Sequence, residues 1–289
     1  MDNSYATPWE KCKAFLFHLF PHHFISRCTY WCTRRKLPFN KQIINLFISA
    51  FNVDMHDAKI QNIEKFATFN EFFTRELTSN ARPIDSNPTR IVSPCDGKIS
   101  LFGEITEDSL LQAKGKHFTL TDFCTTESKF SHHFINGVFC TIYLSPRDYH
   151  RVHMPCDAEL VEMIYIPGRL FSVAPYAPKA IDKLYARNER VVSIFKVKQG
   201  YLALTMVGAV NVAAIEMAWE GLITPPHLTR PSHYDYTNKE ITLSKGAHAG
   251  TFNMGSTVVL LFSKDLAEIN QQLKAGDPVK MGEPLGDLA

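Results

Sequence analysis

From residue 90 onward the chain is a succession of short apolar runs: Arg90–Ser93, Lys98–Phe102, Val138–Leu144, Glu159–Ile166, Arg190–Lys196, Leu202–Val210, Val212–Trp219 and Thr257–Phe262. Gly, Pro, Asn and Asp punctuate them. Short strands at close spacing argue for a sheet-rich barrel or sandwich rather than βαβ units. The expected class is α+β, mainly β, with a few short helices ahead of the sheet-forming part.

Those helices are read from spacing and caps. Residues 8–20 form a short helix with Pro8 near its start, on which Phe15, Leu16, Leu19 and Phe20 can share one face beside Lys11 and Lys13. That is the pattern of an interfacial helix, and equally of one packed on the body of the protein. Residues 40–53 carry Ile43, Ile44, Phe47, Ile48 and Phe51 at helical spacing, a core-facing stripe. Thr68-Phe69-Asn70-Glu71 has the capping-box spacing and predicts a third helix. The stretch Ala81 to Pro88, with Pro83 and Pro88, cannot continue a helix and reads as a linker. The expected division is therefore a helical region, 1–80, and a β-rich domain, 81–289.

The net charge of +2 gives no bulk field for nucleic acid. The N-terminal stretch is basic all the same: Lys11, Lys13, Arg27, Arg34, Arg35, Lys36 and Lys41 against Asp2 and Glu10. Such a stretch suits an anionic membrane surface, or a solvated face. The seven cysteines are odd in number, scattered, and include no C-x-x-C, which fits reduced thiols facing a cytosol. The apolar run Ala14 to Phe20 is short, contains His18 and ends at Pro21, so it reads as neither a signal peptide nor a membrane span.

Three segments are candidates for chemistry. Ser93-Pro94-Cys95-Asp96-Gly97-Lys98-Ile99 reads as a tight turn between β-prone runs. Tyr143-Leu144-Ser145-Pro146-Arg147-Asp148-Tyr149-His150-Arg151-Val152-His153-Met154-Pro155 places two histidines, two arginines and an aspartate in seven residues after an apolar strand. A metal site needs three or four ligands, and no supporting ligand pattern accompanies His150 and His153; acid–base roles suit them better, and no metal is expected. In the third segment, Phe252 to Leu260, Gly255-Ser256-Thr257 opens an apolar strand. The bland reading is a turn. Chemically, glycine leaves its carbonyl uncrowded, and a serine hydroxyl relieved of its proton can attack that carbonyl. Asp96, His153 and Ser256 supply an orienting carboxylate, a base and a nucleophile in chain order.

These residues together resemble the bacterial phosphatidylserine decarboxylase proenzymes. The resemblance rests on SPxDG at Ser93–Gly97, on YLSPRDYHRVHMP and on Gly255-Ser256-Thr257. It is extended by Ala67–Phe73, Arg82–Asp85, Leu184–Arg190 and Ile223–Pro226, and runs from about residue 40 to the end. Met254 stands where the family usually has leucine, an apolar side chain of similar volume. The resemblance implies a sandwich-barrel-hybrid-like catalytic domain behind membrane-facing helices. It implies that His153, held by Asp96, deprotonates Ser256, whose oxygen attacks the Gly255 carbonyl to give an ester. Elimination and hydrolysis then yield a β chain, 1–255, and an α chain, 256–289, that begins with a pyruvoyl group. This covalent cofactor is the electron sink for decarboxylating phosphatidylserine to phosphatidylethanolamine. His150 is expected to act in decarboxylation or protonation, and Arg147, Arg151 or Arg187 to meet the lipid phosphate. The implied setting is peripheral, on the cytoplasmic face of a bacterial inner membrane. The expected partners are the lipid in an anionic membrane and the protein's own second chain, with dimerisation of that unit.

Three other readings compete. Pro94–Ile99 and Pro278–Gly286 resemble segments of biotinyl and lipoyl carrier domains, but no lysine-bearing hairpin lies centrally between them. A serine hydrolase would want a Gly-x-Ser-x-Gly elbow, which is missing around Ser256. A pyruvoyl enzyme for soluble amino acids fits poorly with YLSPRDYHRVHMP and the membrane-compatible N-terminus.

Overall fold

The computed structural model describes residues 5–18, 20–113, 115–209, 214–253 and 256–289. Four helices come first: α1 (Pro8–His18), α2 (His22–Thr33), α3 (Asn40–Phe51) and α4 (Phe69–Phe73). α3 ends where Asn52 takes a left-handed conformation, which asparagine tolerates, and returns its N–H to Ile48. α4 starts where Thr68 Oγ1 accepts from Glu71 N–H at 3.2 Å, while the Glu71 carboxylate reaches back to Ala67 N–H at 2.8 Å. Ile44, Val53, Phe66, Phe69, Phe72 and Phe73 bury one another in a small cluster, with Phe47 edge-on to Phe69, Phe72 and Phe73.

The strands follow in order. They are β1 (Arg90–Val92), β2 (Gly97–Glu104), β3 (Ser109–Ala113), β4 (Lys116–Thr119), β5 (Val138–Leu144) and β6 (Arg151–His153). Then come β7 (Ala158–Ile166), β8 (Arg190–Val197), β9 (Gly200–Val207), β10 (Ile215–Met217), β11 (Gly221–Thr224) and β12 (Ser232–Asp235). The last six are β13 (Thr242–Leu243), β14 (His248–Phe252), β15 (Ser256–Phe262), β16 (Ala267–Ile269), β17 (Pro278–Val279) and β18 (Pro284–Leu288).

All the ladders are antiparallel. The main sheet runs β12-β7-β8-β9-β15-β5-β2-β17, with β13 also on β7. A second sheet runs β11-β10-β14-β6 and a third β1-β18-β16. Among the described residues no sheet closes into a barrel, and the arrangement is sandwich-like. One contiguous core fills it, drawing on both faces of β7, β8, β9 and β15.

The eight runs read from sequence are strands here, but ten further short ones are not apparent from composition. The expected run Val212–Trp219 shrinks to β10, with 210–213 outside the described residues. The Asp-Gly turn does not make a hairpin. It carries the chain from β1 in one sheet to β2 in another, because β1 takes its partner from the far end of the chain. The two segments that resemble carrier domains pair directly, Pro278 with Lys98 and Val279 with Gly97. That is shared local β geometry.

Gly97 is where this crossing is tightest. A Cβ there would sit 2.5 Å from the Tyr143 carbonyl oxygen, a backbone atom that cannot step aside. Gly97→Ala should therefore destabilise the fold by roughly 1–3 kcal/mol, the usual cost of overpacking, measured as a lowered urea midpoint at unchanged slope. An unchanged midpoint would show that β2 does not press on β5 here.

Candidate active site

Two crossings between sheets lie against each other, and they collect the candidate residues. β5 leaves the main sheet at Leu144, turns through 145–149, and enters the second sheet as β6. β14 leaves the second sheet at Phe252 and re-enters the main sheet as β15 at Ser256. On one side Ser256 is paired with Leu144. On the other, Phe252 N–H donates to the His150 carbonyl at 2.9 Å, and Arg151 is paired with Thr251. The 145–150 loop and the segment leading to Ser256 are thus held together at both ends. Gly255 and Met254, at the expected cleavage point, lie outside the described residues.

Ser256 is fully buried, and its Oγ has no hydrogen-bond partner. Leaving a buried hydroxyl unpaired costs about 1–3 kcal/mol, and such groups mark places where a protein keeps a reactive atom free. His150 is also fully buried, stacked on Phe73 at 4.2 Å, with both ring nitrogens lacking a well-formed hydrogen bond. Burial, and then the Arg75 charge, pull its pKa down to about 3, although the carbonyls of Ser145 and Pro146 act the other way. The ring is therefore neutral at neutral pH.

His153 is differently held. Its Nδ1 lies 2.9 Å from the Gly246 carbonyl, which can only accept, so the ring proton belongs on Nδ1. Nε2 is left as an acceptor for the Tyr149 hydroxyl at 3.0 Å. Burial pulls this ring down to about 4; the Gly246 bond and the Asp96 charge oppose that, and the neighbouring His248 and Arg151 add to it.

Asp96 is not hydrogen-bonded to His153. Its carboxylate takes Arg82 side-on, Nε to Oδ1 at 2.9 Å and Nη2 to Oδ2 at 2.5 Å, and accepts Met281 N–H at 2.9 Å. It is linked to His153 through the backbone instead, since Pro94 C=O accepts His153 N–H at 2.7 Å. Arg82 also donates to Asp57 at 2.7 Å, and these hydrogen bonds raise its pKa and lower that of Asp57. Asp57, Arg75, Arg82, Asp96, Arg147, Asp148 and Tyr149 line a cavity of about 200 Å³ beside the two crossings. Burial raises the Asp148 pKa there, against hydrogen bonds from Ser145 N–H and Oγ.

Of the three arginines considered for an anion, Arg147 is half exposed at the cavity's edge. Arg151 is engaged by Glu76 at 3.2 Å and by Thr74 C=O at 3.0 Å. Arg187 lies over the Phe171 ring. Sequence reasoning assigned nothing to Tyr149, Arg82 or Phe73. Tyr149 stands inside the histidine segment and was open to recognition. Arg82 and Phe73 join the site only through tertiary packing.

These features define a mainly-β protein in which a buried, unpaired serine opens a central strand whose neighbour β5 leads, through the 145–150 loop, to two neutral histidines. A family model described as phosphatidylserine decarboxylase matches residues 69–287, and one described as PSD matches residues 12–52. The chain belongs to the phosphatidylserine decarboxylase family. It is 42% identical over 279 residues to the phosphatidylserine decarboxylase proenzyme of Pasteurella multocida, covering 96% of this chain and 95% of that one. It is 47% identical over 262 residues to the proenzyme of Alkalilimnicola ehrlichii, covering 90% and 91%. For the Nitrosococcus oceani proenzyme the identity is 45% over 273 residues, covering 94% and 89%. The similarity therefore reaches further toward the N-terminus than the motifs alone suggest.

The two histidines set a pH dependence. Each is neutral in the fold, whereas in the unfolded chain it takes up a proton near pH 6.5. The stability gained from keeping them neutral is complete above that value and is lost as pH falls toward 4 for His153 and 3 for His150. Each should cost on the order of 1 kcal/mol per pH unit over that window. Urea unfolding of the Ser256→Ala chain from pH 7 to pH 4.5 measures it, with His150→Asn expected to flatten the slope. An equal slope in both would contradict a buried neutral His150.

Proposed function

We propose that this chain is a self-processing enzyme that decarboxylates phosphatidylserine to phosphatidylethanolamine with a pyruvoyl group made from Ser256. The observation that carries the reading is the Ser256 hydroxyl, buried and without a partner at the start of β15, next to the loop that ends at His150 and leads into the strand bearing His153. Ser193, Thr205 and Thr257 also bury hydroxyls without a partner, so what singles out Ser256 is its place: it follows Gly255 at the point where the chain crosses between sheets, paired with Leu144 at the start of the histidine-bearing segment.

Processing needs the Ser256 hydroxyl to lose its proton and attack the Gly255 carbonyl, forming the ester as the Gly255–Ser256 amide bond breaks. Loss of the Ser256 α-proton then releases the 1–255 chain as a carboxylate, and hydrolysis of the resulting dehydroalanine releases ammonia and leaves the pyruvoyl group. His153 is the base: Gly246 holds the proton on Nδ1 and leaves Nε2 as the acceptor. Asp96 acts as a positioning residue, since with Arg82 it orders the turn whose Pro94 carbonyl holds the His153 backbone. The pyruvoyl carbonyl supplies the electron sink for decarboxylation. His150, dry and neutral against Phe73, is placed to handle the proton that replaces the lost carboxylate. Arg147 is the arginine best exposed to take the lipid phosphate.

The bilayer contact falls on the N-terminal helices. Trp9, Phe15, Leu16, Phe20, Phe24 and Trp31 are all more than half exposed, while Arg34 and Arg35 lie over Tyr30 and Trp31. Aromatic side chains flanked by cations suit an anionic interface. Among the described residues no helix is long and apolar enough to cross a membrane. The proposed setting, which rests on these exposed aromatic and basic side chains and on the family resemblance, is peripheral, on the cytoplasmic face of a bacterial inner membrane. In this division of labour residues 1–80 meet the lipid surface and 81–289 carry the chemistry.

Intact-protein mass spectrometry is the test. The wild-type chain should appear as two polypeptides broken at Gly255–Ser256, the smaller lacking ammonia and carrying a carbonyl, and should release carbon dioxide from phosphatidylserine vesicles. Ser256→Ala should stay a single chain without activity. His153→Ala should cut at least a hundredfold more slowly, in keeping with the loss of a general base, and Asp96→Asn should also slow cleavage. An active two-chain Ser256→Ala protein would refute the assignment. A second check uses Trp9→Ser with Trp31→Ser, which should weaken binding to anionic vesicles several-fold while self-cleavage continues; unchanged binding would move the contact elsewhere.

A further inference from the structure

Away from this site, three ligand-type side chains from distant parts of the chain meet at one point. They are His23 near the start of α2, Glu189 just before β8, and His227 beyond β11, and their ligand atoms all lie within 4.8 Å of one another. Part of the cluster is explained by ordinary hydrogen bonding. His227 Nδ1 lies 2.8 and 3.0 Å from the two Glu189 oxygens and 2.9 Å from Thr224 Oγ1. Tyr165 and Thr224 donate to the same carboxylate, so Glu189 is fixed from three sides.

The other halves of the two rings are not explained. With Nδ1 protonated toward Glu189, His227 Nε2 carries a lone pair; it is buried and without a partner, on a side chain only 8% exposed. His23 Nδ1 is likewise buried and without a partner. The two rings are neighbours, centroids 4.7 Å apart and tilted by 56°. Buried ring nitrogens left unpaired are rare, and two together ask for a common acceptor of lone pairs.

We propose that His23 and His227 bind a divalent transition cation of the zinc class, with Glu189 as the carboxylate that orients His227 and supplies negative charge. Imidazole nitrogen suits this group of metals rather than magnesium or calcium. Zinc–nitrogen bonds of about 2.0–2.1 Å place two nitrogens of a tetrahedral site roughly 3.3 Å apart, a spacing that two imidazoles with centroids 4.7 Å apart can present by turning about their side-chain bonds. A carboxylate on the far nitrogen of a ligating histidine is the usual outer partner in such sites. Two waters would complete the tetrahedron, so this is a two-histidine site of modest affinity, short of the three or four protein ligands that a dedicated structural or catalytic zinc takes.

The cation would join elements that packing joins only loosely. α2 buries just His22 and Ser26 and turns Phe24 and Trp31 outward. A metal bridging His23 to His227 would clamp that helix, and the apolar face it presents, onto the β-rich body.

The experiment uses the full-length protein after chelator treatment, with the exposed Cys12, Cys28 and Cys32 alkylated so that thiols do not compete. Equilibrium dialysis against zinc should give one equivalent per chain. His23→Ala and His227→Ala should each weaken binding at least tenfold, and Glu189→Gln about tenfold to a hundredfold, as for other outer carboxylates. Zinc should slow amide exchange across residues 22–33 in the wild type and leave it unchanged in the histidine variants. If His227→Ala does not fold, His23→Ala, on a peripheral helix, decides alone. No bound zinc in the wild type, or full affinity in the double histidine variant, would overturn the proposal.

Discussion

The whole architecture hangs on the pairing of β15. Its seven residues are all buried, and β15 is hydrogen-bonded along its length to β5 on one side and β9 on the other. A strand in that position is held from Thr257 to Phe262 by neighbours on both sides, so it is not released by a break before its first residue. The segment after it is fastened again at β16 and β18 to β1, and at β17 to β2. Residues 256–289 therefore contribute strands to two sheets and belong to the core of the larger chain. The cleavage proposed at this point would thus cost the fold little.

A reactive terminus also has to be kept dry and supplied with oriented neighbours. The N-terminal region meets that need by packing. Phe73 closes over His150, Arg75 reaches the Arg147 carbonyl, and Arg151 is held by Thr74 and Glu76. Arg82 spans Asp57 and Asp96 and so fastens the linker to the turn behind His153. A buried pair of this kind adds little to net stability, since desolvation cancels much of the attraction, but removing one partner strands the other charge. Its consequence is positional. The N-terminal helical region, with its exposed aromatic side chains, is tied by the same residues to the segment that carries the histidines.

How much of this was legible in the sequence follows from where the signals are local. β5, β7, β8 and β15 announce themselves because long apolar runs are needed to fill both faces of a central strand. The Thr68 cap and the α3 stripe are likewise local. β14 and β6 are short, half polar and stabilised by each other, so nothing in their composition marks them. The serine and both histidines stand in motifs, and the structure shows Ser256 and His150 fully buried. No motif names the partner of Asp96, because the choice between His153 and Arg82 depends on where the linker lies in space, and spacing along the chain is silent on that.

α2 shows the limit most clearly, and for a physical reason. Helices are recognised by apolar residues that recur on the face turned to the core. Here that relation is inverted: the buried residues are His22 and Ser26, whereas Phe24 and Trp31 point away. A helix built so is not held by the hydrophobic effect within its own chain. It is held by edge contact of His22 on Phe171 and by the polar cluster around His23. Its apolar side chains Phe24 and Trp31 are left exposed, which is the condition the proposed bilayer contact needs. The same choice of residues that hides the helix from pattern reading leaves that face uncovered, because a face satisfied by the core would have nothing to offer another apolar phase.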